Sequence, residues 1–344
     1  MADLTLEDVA KQAGVSRSTV SRVVNGSPNV SPEVRKLVLN TIQITGYQPN
    51  AAARSLASQR TWMIGLVLPR SVSSFFTDPF FPQLTQGIAY GCNNNDLSLS
   101  LFLVGNKEDE EKITPRISRR GLLDGILIQS GQPGDSMIDH LISSQIPSVM
   151  LGRPYTSEGV SYVDVDNIAA SKKATQHLTD LGYSRIATIT GRPNSTVTVD
   201  RLEGYAQCLT ENHLTLDPSL TAEGDFSELG GYEAMKKLLP AKPDAVFAAS
   251  DLMAAGAIRF LQEMDLRVPE DVAFVGFDDV PLGALTRVQL TTVRQPIMKF
   301  GIKAVELLID LIENGTKPAR QCYLETELVI RDSCGARKRE SILN

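Results

Sequence analysis

Several side chains able to make paired hydrogen bonds follow short apolar runs in this chain. Arg153 comes just after the run 149–151, and Arg201 lies in the segment after 186–190. Ser250 and Asp251 end 245–249, Asp278 ends 272–277, and Gln295 closes 290–295. Asp78 ends a long loop, 71–78, just before Phe80 and Phe81; Phe226 closes Glu223-Gly224-Asp225-Phe226. Carboxylates accept hydrogen bonds side by side and guanidinium groups donate in a fixed fork, while the phenyl rings offer flat apolar walls. That mixture suits a sugar, whose hydroxyls pair with charged groups while its C–H faces pack on rings. A desolvated site of this kind discriminates well, because a missing hydroxyl leaves a buried polar group unpaired.

Catalytic chemistry has no comparable constellation. His140, His177 and His213 are dispersed, and no glycine-rich loop with lysine is present to cradle phosphate. Asp278 and Asp279 resemble a carboxylate pair, but neighbours on a strand point to opposite faces. The cysteines, Cys92, Cys208, Cys322 and Cys334, lack metal-ligand spacing and read as buried free thiols of a reducing compartment. No catalytic residue, no metal and no cofactor is expected.

A second group carries a different chemistry. In residues 5–25, Leu6, Val9, Ala10 and Ala13 form one apolar helical face, Thr5 with Asp8 makes a capping-box start, and Gly14 suits a left-handed stop. Ser16 can cap a second helix with Val20, Val23 and Val24 inward and Arg17, Ser18, Ser21, Arg22 and Asn25 outward. Such a short, polar, basic face can reach phosphates and base edges in a major groove, and two helices so joined make a helix-turn-helix reader. Ser31 caps a third helix with Pro32 at its first position, Val34, Leu37, Val38, Thr41 and Ile42 on its inner face, and Gly46 as its stop. The stretch 49–58 favours helix, but one or two turns do not repay nucleation in water. It reads as a helix formed only when a twin or DNA supports it.

After Thr61 apolar strands alternate with helices, twice over, with the second series beginning after Asp164-Val165-Asp166-Asn167. The alternation implies parallel sheets covered by helices, and two such lobes in series imply a cleft. Ligands of such sheets bind beyond the carboxyl ends of the strands, where the polar set above falls. With 344 residues, 42% of them hydrophobic, the chain can build two or three compact units. Its net charge of −6 divides into +3 over residues 1–60 and −9 over the rest, which points nucleic acid toward the head. The N-terminus has no signal-peptide pattern and no apolar run reaches the ~20 residues of a membrane span, so a cytoplasmic protein with no membrane partner is expected.

The segment TLEDVAKQAGVSRSTVSRVVNG, followed by Gly46-Tyr47-Gln48-Pro49-Asn50 and Ala53-Arg54-Ser55-Leu56, resembles the headpiece of the LacI/GalR family of bacterial transcription regulators, and the similarity runs to about Arg331. The resemblance implies a three-helix helix-turn-helix headpiece (1–46) and a hinge helix (47–60). An α/β, two-lobed periplasmic-binding-protein-like domain of Rossmann-like, parallel-sheet subdomains follows over 61–334. Its N-subdomain would take about 61–164 and 295–322, its C-subdomain about 165–290 and 324–334, and 335–344 would be a tail. Crossovers are expected near Asp164, at 290–295 and at 322–324.

It further implies DNA contacts by Thr5, Leu6, Ser16, Arg17, Ser18, Thr19, Ser21, Arg22, Asn25, Ser31, Tyr47, Asn50, Ala53 and Leu56. Leu56 takes the place of the leucine that wedges into the operator's minor groove. Arg201, in Asp200-Arg201-Leu202-Glu203-Gly204-Tyr205, matches the family's effector-binding arginine, Asp278 its aspartate and Phe226 its stacking aromatic. With Asp78, Phe80, Phe81, Arg153, Ser250, Asp251 and Gln295 they make the expected effector set. Ser250 stands where some members have an asparagine, and Asp251 is as well suited to orienting the site or capping its helix. The implied partners are a near-palindromic double-stranded operator, a sugar or oligosaccharide effector, and a twin subunit, since 333–344 is too short and polar for a tetramerisation helix. A purine or nucleoside corepressor, and a sugar receptor for transport, are the alternatives.

Overall fold

A computed structural model describes residues 4–24, 27–47, 60–69, 72–119, 121–129, 134–155, 159–193, 195–282 and 286–336. Two compact units emerge: residues up to Trp62 with Gly121–Asp124, and the remainder.

In the first unit, α1 (Leu6–Ala13) begins at a full capping box. The Asp8 amide donates to Thr5 Oγ1, and Asp8 Oδ2 accepts from the Thr5 amide at 2.9 Å. Gly14, at φ 64°, ends the helix as its glycine predicts. Ser16 Oγ accepts from the Thr19 amide at 3.1 Å and starts α2 (Arg17–Val24). Ser31, then Pro32, start α3 (Pro32–Thr45), and Gly46 at φ 67° stops it. Val9, Val20, Val23, Val38 and Tyr47 pack together, with Leu6, Val24, Val34 and Ile42 around them. Leu37, expected inward, is 48% exposed instead, because Val38 takes the inward position on that turn. The hinge stretch with Asn50, Ala53 and Leu56, and also Asn25, lie outside the described residues.

The second unit contains two six-stranded sheets, which confirm the two-lobed reading. The first lobe holds β1 (Met63–Pro69), α4 (Val72–Thr77), α5 (Phe80–Asn93), β2 (Ser98–Val104), α6 (Lys107–Ile117), β3 (Gly125–Gln129), α7 (Ser136–Ser143), β4 (Ser148–Leu151) and β5 (Ser161–Val165). The second holds α8 (Asn167–Asp180), β6 (Ile186–Thr190), α9 (Thr196–Glu211), β7 (Thr221–Glu223), α10 (Glu228–Leu238), β8 (Ala245–Ala248), α11 (Asp251–Glu263), β9 (Ala273–Asp278) and β10 (Thr291–Arg294). The chain then returns: α12 (Ile297–Asn314) and β11 (Gln321–Leu324) join the first lobe, and β12 (Glu327–Val329) the second.

The strand orders are β11-β5-β4-β3-β1-β2 and β12-β10-β9-β8-β6-β7. All pairs are parallel except β12, which runs antiparallel to β10. Two expectations shift. The stretch 71–78, read as loop, carries α4. Strand β11 extends through Leu324, so the last crossover falls at Glu325 and Thr326 rather than at 322–324. The other two follow Val165 and Arg294.

Each sheet is sealed by close helix pairs. A Cβ on Gly87 would meet the Met298 carbonyl oxygen at 2.2 Å, so only glycine lets α5 and α12 pack this tightly. In the second lobe, Ala187, Ile189, Val246, Ala248 and Phe274 face the apolar sides of α10 and α11. Cys92, Cys208 and Cys334 are buried, whereas Cys322 is half-buried.

Candidate functional site

Ligand crevices in sheets of this order open where the strand order reverses, beyond the carboxyl ends. In the first lobe that point lies between β1 and β3, in the second between β6 and β8. The polar groups gather at both. Arg201, on α9, is buried at 4% exposure, and its guanidinium lies 3.6 Å from the Phe277 ring centroid. Its Nε donates to Asn167 Oδ1 at 2.9 Å and Nη1 to the Ala249 carbonyl at 2.5 Å, with Asp278 Oδ1 3.5 Å away. Gln295 Nε2 donates to the same Asp278 oxygen, and the Gln295 amide to the Asp278 carbonyl. So Arg201, Asp278 and Gln295 converge as the sequence suggests, and Arg201 is held by three partners of its own lobe.

Asp278 and Asp279 adopt left-handed backbones, φ 121° and 60°, an uncommon conformation that the surroundings must enforce. Asp251 is one enforcer: its Oδ2 accepts from the Val280 amide at 3.0 Å and its Oδ1 from Thr292 Oγ1 at 2.5 Å. Gly276 leaves the space, since a Cβ there would meet Asp251 Oδ1 at 2.3 Å. Asp279, just past β9, points to Arg294 and Arg331 at 2.7 and 2.6 Å.

Asp78 faces this cluster from the first lobe. Its Oδ1 accepts from the Phe80 amide at 2.9 Å. Burial pushes its carboxyl up to about 6, against the Phe80 amide and the Arg201 charge, which pull it down. Burial pushes Asp278 up to about 7, with Arg201 opposing and Asp78 reinforcing. Burial, then the Asp278 charge, hold Asp251 well above the carboxylate range. Two carboxylates from opposite lobes thus compete for few cations. Hydroxyl hydrogens are the natural partners for such acceptors.

Some expected contacts take other roles. Asp251 is 1% exposed, and both its oxygens brace the Asp278 turn and Thr292. Ser250 Oγ caps α11, accepting from the Met253 amide at 3.2 Å. Phe81 is 6% exposed and packs in the first lobe, edge-on to Phe80 at 5.7 Å; Phe80 alone of the pair stays half-exposed. Arg153 turns to Asp200 rather than to the Arg201 cluster, with Nη2 donating at 2.7 Å and Nε at 3.1 Å. Phe226, at φ 68°, lies so close over Gly191 that a Cβ there would meet Phe226 Cζ at 2.0 Å.

Sequence reasoning passed over several groups. Asn167 orients Arg201, and Asp164 holds Asn167 Nδ2 at 3.1 Å; burial lifts Asp164 to about 6. Gln129 ends β3 at the strand-order reversal, and its buried Oε1 has no hydrogen-bond partner among the described residues. The signal was available: Gln129 closes β3, Asn167 opens α8, and Asp164 stands at the end of β5, just before that helix. A separate surface hollow of about 580 Å³ lies along β7 and α10, lined by Pro218, Glu223 and Lys237 among others, and by none of the residues of this cluster. Among the described residues, no group of three or more His, Cys, Asp or Glu side chains could hold a metal ion. No helix among them is long and apolar enough to cross a membrane.

On the first unit, Arg17, Ser18 and Arg22 are exposed along α2, with Ser21 and Thr19 half-buried beside them. Ser16 Oγ lies 2.8 Å from both Ser18 Oγ and Thr19 Oγ1, tying the start of this face together. Arg17 meets Glu7 at 3.0 Å in an exposed pair, a weak tie in water that a phosphate can replace. The Thr5 and Ser31 hydroxyl oxygens accept helix-start amides, which fixes both side chains at the N-termini of α1 and α3, and Leu6 leans on the core. Tyr47, expected at DNA, has its ring in the core at 8% exposure, so it supports the head from within.

A helix-turn-helix head and a two-lobed α/β unit with polar groups at its strand ends define a ligand-responsive DNA-binding regulator. Residues 5–50 match the model of bacterial regulatory proteins of the lacI family, and residues 175–334 that of a periplasmic binding protein-like domain. The chain belongs to the LacI family of transcription regulators. It is 39% identical to the HTH-type transcriptional regulator CelR of Thermobifida fusca over 333 residues, covering 96% of this chain and 98% of that protein. It is 34% identical to catabolite control protein A of Priestia megaterium, over 96% and 99% of the two chains. Among solved structures, a CelR–cellobiose complex matches at 37% identity and TM-score 0.76, covering 96% of this chain and 99% of its own. The Lac repressor dimer bound to operator and the anti-inducer ONPF matches at 26% and 0.82, with the same coverage.

Proposed function

We propose that this regulator is a cytoplasmic homodimeric repressor released from a near-palindromic operator when a gluco-oligosaccharide fills the cleft. The observation that carries the effector half is the facing of Asp78 and Asp278 around the buried Arg201. These acceptors, with Gln129 Oε1, select a ligand rich in hydroxyl donors, and Phe226 and Phe80 supply apolar faces. The likeness to CelR, described in complex with cellobiose, supports a glucoside of more than one ring. Asp78, Arg201, Phe226, Asp278, Gln295 and Gln129 make the contacts; Asp251 and Asn167 position them.

Residues 1–46 read each half-site, 47–60 form the hinge, 61–334 bind effector and twin, and 335–344 are a tail. Arg17, Ser18 and Arg22, with Asn25, contact bases or adjacent phosphates, and Thr5, Ser16 and Ser31 fix the head through phosphates. Leu56, with Asn50 and Ala53 alongside, enters the minor groove. Effector and operator then compete through a coupling free energy between two sites.

The test is selection of binding sequences from random DNA by purified protein, followed by fluorescence anisotropy on the enriched duplex with cellobiose added. Enrichment of a near-palindrome and its release by the sugar are expected. Tighter binding on sugar addition would overturn the sign, and no enrichment would overturn the DNA-reading head.

A further inference from the structure

The side chain that leaves the effector cluster sits at a junction between the lobes. Arg153 follows β4 of the first lobe, and Asp200 lies on α9 of the second. Their fork of two hydrogen bonds, at 2.7 and 3.1 Å, therefore spans both lobes. The backbone of Arg153 makes two further ties. Its amide donates to Asp164 Oδ2 at 2.6 Å, at the end of β5, and its carbonyl accepts from Thr196 Oγ1 at 2.8 Å, on α9. Asp164 Oδ1 accepts from Asn167 Nδ2, and Asn167 Oδ1 accepts from Arg201 Nε. Arg201 is the next residue after Asp200. The contacts thus close a ring: Arg153, Asp164, Asn167, Arg201, Asp200 and back to Arg153.

We infer that Arg153 is a positioning residue, the first-lobe half of a latch to Asp200 that sets how closely the two cleft walls approach. Three observations carry this. The guanidinium and carboxylate match as a bidentate pair, the geometry that gives an ion pair specificity. The pair is mostly shielded, at 29% and 11% side-chain exposure, so solvent screens it less than a surface pair. And α9 carries the latch carboxylate and the effector-gripping arginine at consecutive positions, so a pull on one rotates the mount of the other. The latch joins the walls beside the first crossover, where a small change in angle moves Asp78 relative to Asp278. A ligand that draws Arg201 toward its hydroxyls is felt at Asp200, and a broken latch is felt at Arg201.

The latch is testable without any ligand. Spin labels at Glu111→Cys on α6 and Lys236→Cys on α10, with the half-buried Cys322 changed to Ser, report lobe separation in full-length protein diluted with unlabelled subunits. Arg153→Ala and Asp200→Asn are expected to lengthen or broaden the distance distribution. The charge-swapped pair Arg153→Asp with Asp200→Arg is expected to restore it. In parallel, the apparent Kd for cellobiose should rise about 5- to 10-fold in each single variant and recover in the swap. Unchanged distances in both single variants would overturn the latch. So would loss of sugar binding that the swap fails to restore, because Arg153 would then touch the sugar itself. This readout rests on the proposed effector class, but if cellobiose does not bind the wild type, the distance measurements still decide the latch and the failure belongs to the effector reading alone.

Discussion

The two lobes share a strand order and differ in what they bring to the cleft. The second lobe arrives assembled: Arg201 is gripped by Asn167, the Ala249 carbonyl and Asp278, and Asp278 is braced by Gln295 and the Asp251 turn. The first lobe brings looser parts: Asp78, tied only through Oδ1 among the described residues, Gln129 with an unpaired oxygen, and the half-exposed Phe80. The lesson is a division of labour. One lobe is a preorganised receptor whose charges are fixed before the ligand arrives. On the proposed reading the other completes the site, and the ligand's hydroxyls satisfy its open acceptors. Preorganisation lowers the ordering cost of binding; the unsatisfied acceptors make binding selective.

That contrast can be broken by substitutions on either side. The largest effect is expected from Arg201→Ala in the second lobe. It leaves Asp278 buried beside Asp251 and Asp78 without a cation, so stability should fall by about 3 kcal/mol, and effector binding should vanish. Urea unfolding and calorimetric titration check both. A first-lobe change should behave oppositely. Asp78→Asn should weaken effector affinity about tenfold yet raise stability, since burial has pushed this carboxyl up to about 6. The folded state then holds its proton more tightly than the unfolded chain does. Wild-type stability therefore falls as pH rises from the unfolded carboxylate range through that value, and the asparagine escapes the penalty. The gain should be on the order of 2 kcal/mol near neutral pH and fade toward about pH 4, measured by thermal unfolding across pH.

The same acceptors give binding a pH dependence of known sign. Hydroxyl donors favour the ionised carboxylates, so ligand binding expels protons from Asp78 and Asp278, whose values sit near 6 and 7. Affinity should increase between about pH 5 and 7.5 in calorimetry, and the slope should flatten in Asp78→Asn. Gly191→Ala tests the second lobe's apolar face: the methyl displaces the Phe226 ring and should cost about tenfold in affinity. Phe80→Ala in the first lobe should have the smallest effect, about twofold to threefold in affinity with little change in melting temperature. Loss of stability there comparable to Arg201→Ala would erase the distinction between lobes.

Much of this was legible before the structure. The caps at Thr5, Ser16 and Ser31, and the stops at Gly14 and Gly46, are local chemistry, written in neighbouring residues. The alternation of strands and helices gave both lobes, and the strand-end rule gave Arg201, Asp278 and Gln295. What the chain did not display was pairing at a distance. Arg153 and Asp200 are 47 positions apart, and nothing in either segment says that they meet. Asp251 reads as a strand-end ligand until Gly276 and Thr292 are seen to bury it. Tyr47 follows a helix stop, where a surface role is natural, yet the small head needs its ring for a core. The short helix within 71–78 has too little periodicity to distinguish it from loop.

The measurement that bears most directly on this account is a thermal-shift titration of wild type and Arg201→Ala with cellobiose, longer gluco-oligosaccharides, single sugars and nucleosides. A ligand of the folded cleft must raise the melting temperature by mass action. The account predicts a concentration-dependent rise with a neutral gluco-oligosaccharide that disappears in Arg201→Ala. A rise that persists undiminished in the variant, or a wild type that answers nucleosides and no sugar, would contradict it.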